Sequence, residues 1–191
     1  MARFNSSNSE AGFSLLEAII ATGLMAGALA SLGQMFALSI SNNVTARSGT
    51  YATVLAEQKM EQLRGLTWGF DTLGLPISDT STNTALAVES PTGGTGLSPS
   101  PANALTSRVA GYVDYLDQFG NIIGGGTTLP AKTIYIRRWS IEPLPVNPNN
   151  TLILQVLVTK RVNRGTADSD GSVRRLRDEA RLMSVKTRKA Q

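Results

Sequence analysis

The sequence predicts an α+β fold: a long N-terminal α-helix, membrane-spanning in its first half and packed by its second half against a small antiparallel β-sheet. Three observations predict it. Ala18 to Ala46 is a run of 29 residues without a charge. A helical repeat of apolar positions continues from there to Arg64. Beyond residue 111, four short runs rich in β-branched and aromatic residues are separated by turn-forming ones. The 191 residues suit one such domain. It divides into a polar leader at 1–12, a helix at 13–66 that is transmembrane to about residue 40, a variable flexible loop region at 67–110, and a sheet head with a basic end at 111–191.

The leader, MARFNSSNSEAG, is small and polar. The uncharged run that follows would be about 43 Å long as a helix, against roughly 30 Å of bilayer hydrocarbon. A secretory signal fits poorly, because its apolar core is only about 7–15 residues and cleavage follows it. Charge gives no orientation: Arg3 is offset by Glu10, and Arg47, Lys59 and Arg64 lie beyond the run.

Glu17 stands among Phe13, Leu15, Leu16, Ala18, Ile19 and Ile20, with no Lys or Arg between Arg3 and Arg47. An unpaired carboxylate opposes membrane insertion. A cut between Gly12 and Phe13 would create a counter-ion, the α-ammonium of Phe13. That amine would sit one helical turn from Glu17, or it could meet Glu17 of a neighbouring subunit. The first-turn position also suits the helix dipole.

Gly12-Phe13-Ser14-Leu15-Leu16-Glu17 before a long apolar helix resembles the class III signal of the type IV pilin superfamily, the pilins of type IV pili and the pseudopilins of type II secretion. The resemblance implies cleavage after Gly12 by a membrane prepilin peptidase, N-methylation of Phe13, and a docking role for Glu17. It also implies an inner-membrane, single-pass precursor with its head outside the cytoplasm. Its partners would be the peptidase, other pilin or pseudopilin subunits, an inner-membrane assembly platform and membrane lipid. Major pilins often carry a kinking proline where this chain has Gln34, and Leu55–Arg64 resembles the helix end of minor subunits. The expectation is therefore a minor pilin or minor pseudopilin.

Past the membrane segment, Tyr51, Val54, Leu55, Met60 and Leu63 form a loose helical stripe. Glu57, Lys59 and Glu61 read as a solvated face, and Gly65 as the stop. Residues 71–107 contain 23 Gly, Pro, Ser, Thr or Asn among 37. Such a composition predicts an irregular loop without a core of its own.

The expected strands are Tyr112–Phe119, Thr133–Glu142, Leu152–Lys160 and Glu179–Lys186. Gly120-Asn121 supplies turn chemistry after the first. Arg137-Arg138 breaks the alternation of the second, which suggests a bulge or an edge. Gly124-Gly125-Gly126 reads as a flexible turn.

The chain has no Cys and no His, which excludes a disulfide framework, a Cys or His zinc site and a cysteine nucleophile. No nucleophile–base constellation, phosphate loop or dinucleotide fingerprint is present, so no enzyme is expected and no cofactor. Asp114 with Asp117, and Asp168 with Asp170, offer oxygen ligands for calcium. Neither pair has EF-hand spacing, and turn formation explains both more simply.

Residues 160–191 carry ten basic and four acidic side chains, including Arg174, Arg175, Arg177, Arg181, Lys186, Arg188 and Lys189. A DNA contact through phosphates is one reading. A strand edge or solvated end is the simpler one, because the tail has no aromatic residue to stack a base. Two alternatives to a minor structural subunit stay open: a DNA-binding or adhesive minor pilin, and a membrane-anchored periplasmic protein that does not assemble.

Overall fold

The computed structural model describes residues 13–85, 93–161 and 179–188. The elements run α1 (Leu15–Gly65), β1 (Trp68–Phe70), β2 (Pro76–Ser78), β3 (Val113–Leu116), β4 (Ile122–Gly125), β5 (Tyr135–Pro143), β6 (Thr151–Lys160) and β7 (Glu179–Thr187). The predicted α+β class is correct. The chain forms two compact units, residues 1–44 and 45–191.

In the first unit every described residue is exposed. Leu15 to Val44 would be about 45 Å of helix, and α1 is long and apolar enough to cross a membrane. Two of its hydroxyls bond back onto the helix. Thr22 Oγ1 donates to the carbonyls of Ala18 and Ile19 at 2.9 and 3.0 Å. Ser31 Oγ donates to Gly27 O at 2.9 Å. Bonding a hydroxyl back onto the helix lowers the cost of placing it in a lipid-like medium.

The second unit is the head. Its main sheet has the order β4-β3-β5-β6-β7, antiparallel throughout, and β1 and β2 form a separate antiparallel ribbon. The second half of α1 covers one sheet face. Ala52, Leu55, Ala56, Met60 and Leu63 meet Leu116, Tyr135, Trp139, Ile141 and the Leu152, Leu154, Val156, Val158 row. These residues form the core because strand side chains alternate while the helical ones recur every three to four positions. A smaller cluster on the opposite face joins Val113, Tyr115 and Ile136, with Ile123 and Leu129 against it.

Several readings change. Val54 of the expected stripe is exposed, and Ala52, Ala56 and Lys59 are buried instead. β5 is neither bulged nor an edge. It pairs in unbroken register with β6 and lies between β3 and β6, with Arg137 turned to the helix.

Gly124 and Gly125 belong to β4. A Cβ on Gly124 would lie 2.9 Å from Pro130 Cγ, so glycine there permits close approach. Residues 71–107, read as coreless, contribute β2 and the buried Ala85, Leu97 and Ala104. These few apolar side chains borrow the core built by other elements, which composition cannot reveal.

Gly65 ends α1 as expected but without positive φ. The carbonyls of Leu63 and Arg64 instead accept from Lys186 Nζ of β7. A lysine at a helix C-terminus satisfies carbonyls that the helix leaves bare.

Candidate functional site

Two places concentrate charge in apolar surroundings. The first is the start of α1. Ser14 is the N-cap: its Oγ accepts from Glu17 N–H at 3.2 Å, and its carbonyl accepts from Ala18 N–H at 3.1 Å. Ser-x-x-Glu is capping-box spacing, and the described helix begins right after this serine, at Leu15.

Phe13 therefore precedes the helix and is 78% exposed. In this conformation the one-turn relation of Phe13 to Glu17 is not a shared helical face. Glu17 lies exposed in the first turn, and among the described residues its carboxylate has no salt-bridge partner. Gly12 lies outside the described residues.

The second place is inside the head. Asp114 of β3 is completely buried, with Lys59 of α1 and Arg137 of β5 against it. Lys59 Nζ is 2.9 Å from Asp114 Oδ2, and Arg137 Nη2 is also 2.9 Å from that oxygen. Arg137 Nε donates to Oδ1 at 2.9 Å, which makes the pair bidentate. Arg137 Nη1 donates to the Leu55 carbonyl at 2.8 Å. Lys59 also donates to Gln62 Oε1 at 2.7 Å and to the Thr84 carbonyl. Its ammonium lies 4.4 Å from the centre of the Trp139 ring.

Two cations share one carboxylate, so the triad holds an excess positive charge. Burial, with Arg137 adding to it, pulls the Lys59 pKa down to about 8 even though Asp114 opposes the shift.

The solvated-face reading of Lys59 is thus corrected, while Glu57 and Glu61 are exposed as expected. Asp114 is also not a turn residue. A signal existed in the parity of β5, because Arg137 alternates in step with Tyr135, Trp139 and Ile141. The separations of 23 residues to Asp114 and 82 to Leu55 hid its partners.

Asp117 does form the expected turn. Its Oδ1 accepts from Phe119 and Asn121 N–H at 2.8 and 2.9 Å, and Oδ2 accepts from the Asn121 side chain at 3.0 Å. With Asp114 committed to two cations and Asp117 to its turn, this aspartate pair offers no ready calcium cradle. Among the described residues no group of three or more acidic, His or Cys side chains could hold a metal. Asp168 and Asp170 lie outside the described residues.

Of the basic end, Arg181, Lys186 and Arg188 are described, and β7 is indeed an edge strand. Arg181 Nη2 donates to Gln155 at 2.6 Å. Arg188 is a structural clamp, donating to the carbonyls of Asn149, Gly69 and Ile77 and to Ser78 Oγ. Its guanidinium lies 3.7 Å from the centre of the Trp68 ring. Two cations of the tail thus fasten the fold. Arg174, Arg175, Arg177 and Lys189 lie outside the described residues.

Comparison with protein families, with curated proteins and with solved structures returns no match.

Proposed function

We propose that the chain is a minor structural subunit of a type IV pilus or a type II secretion pseudopilus. It is made as an inner-membrane precursor, cut between Gly12 and Phe13, N-methylated at Phe13, and assembled by helix packing. One observation carries this reading. The helical surface is wholly exposed from Leu15 to Val44 and carries one charged residue, the acid Glu17 in its first turn. Such a surface is stable only in lipid or against other helices.

The amine of an incoming chain neutralises Glu17 of one already packed. Small residues at Ala21, Gly23, Ala26, Gly27 and Ala30 let helix backbones approach. The head carries no catalytic role in this reading. Intact-mass and N-terminal analysis of the protein from cells that hold a prepilin peptidase tests it. The expected mature chain begins at methylated Phe13, and a chain that still begins at Met1 sinks the proposal.

A further inference from the structure

The helix stripe that meets the sheet is nearly periodic. Tyr51, Leu55, Lys59 and Leu63 form one ridge at four-residue spacing, and Ser48, Ala52, Ala56 and Met60 form the next. Within the two ridges, a slide of one turn exchanges apolar or small side chains at every place except the one that Lys59 takes or leaves. The Arg137 contact to the Leu55 carbonyl discriminates little, because a helix offers an equivalent carbonyl every turn. Lys59 is the exception on its ridge. A slide of four residues would set Leu55 or Leu63 opposite Asp114 and leave a buried ammonium away from its carboxylate.

We propose that the Lys59–Asp114–Arg137 triad is a register lock, which selects one axial position of α1 on the sheet and contributes specificity in place of stability. Apolar side chains of similar volume would bury as well or better, because desolvating three charges offsets much of their attraction. What they would lose is the distinction between neighbouring registers. The inference stands on the head alone and does not depend on the filament reading.

The test uses the full chain in detergent micelles. The protein has no native cysteine, so spin labels go on Arg64→Cys and Phe119→Cys, both exposed. Phe119 adjoins Gly120, which lies beside Tyr51 and Leu55. The label distance therefore follows the axial position of the helix, measured by double electron–electron resonance. The parent is expected to give one narrow distance. Lys59→Met, Asp114→Leu and Arg137→Met together are expected to give a cooperatively melting protein with a second distance. That distance is displaced by about 6 Å, the rise of four helical residues. A folded triple variant with the parental distance alone overturns the lock.

Should the triple variant not fold, the relocated variant Lys59→Leu with Leu63→Lys decides. It is expected to slide by one turn and shift the distance by about 6 Å. Retention of the parental distance, or failure of this variant to fold, overturns the proposal.

Discussion

At the residue scale the triad makes an ordered prediction. Asp114→Ala leaves Lys59 and Arg137 as buried like charges and should cost about 3–5 kcal/mol. Lys59→Met leaves the bidentate Arg137–Asp114 pair intact and returns a bulky apolar stem, so it should cost no more than about 1.5 kcal/mol. Equal losses in urea denaturation would contradict the charge imbalance.

Proton linkage gives a second reading of the same group. Lys59 titrates near pH 8 when folded, against 10.5 ordinarily. Between those values the unfolded chain holds a proton that the folded chain has lost, so stability rises with pH. The slope is at most about 1.4 kcal/mol per pH unit for one proton. Wild type should therefore gain on Lys59→Met from about pH 8 to 10.5, and parallel curves would remove the shift.

Glycine positions separate just as cleanly. Gly120 has φ of +80°, and a Cβ there would lie 2.7 Å from the Tyr51 hydroxyl and 2.9 Å from Leu55 Cδ2. Gly120→Ala should cost about 1–3 kcal/mol. Gly49→Ala, with nothing within 4 Å in mid-helix, should stabilise by about 0.5–1 kcal/mol. Thermal melts of the two variants should move in opposite directions.

At the scale of elements, legibility followed how each one is buried. β6 showed itself because Leu152, Leu154, Val156 and Val158 all turn to the helix, giving a clean two-residue period. α1 showed itself because its first half has no charge to interrupt it. β1, β2 and β4 did not, since each is three or four residues long and they contain Gly69, Pro76, Gly124 and Gly125. Such strands exist through their neighbours, which no local pattern records.

The β1–β2 ribbon illustrates the dependence. Two strands are marginal alone, and Arg188 beyond the end of β7 grips both through the Gly69 and Ile77 carbonyls. Arg188→Ala should raise amide hydrogen exchange across 68–78 while β5 and β6 stay protected. Unchanged exchange in the ribbon would mean that the clamp is dispensable. Of the sites, the position of Glu17 was readable because a charge in an apolar run is conspicuous. The cap at Ser14 was equally legible in its three-residue spacing to Glu17.

At the scale of the whole molecule, the two units obey different solvents. Every buried residue described lies at or beyond Ser48, so the head's core is complete without residues 1–44. The apolar side chains from Leu15 to Val44 are exposed along a helix long and apolar enough to cross a membrane, a surface larger than monomeric proteins in water commonly present. These statements predict the behaviour of a truncation.

A chain of residues 45–191 should remain soluble without detergent and melt cooperatively, because it keeps α1's packed half, the Lys186 contact to the helix end and the triad. The full chain should require detergent and partition into lipid vesicles. Circular dichroism melts and vesicle flotation read the two outcomes. A truncated head that aggregates would show that the first unit contributes to the fold. A full chain that stays in the aqueous phase as a monomer would show that the greasy surface of α1 has some other cover.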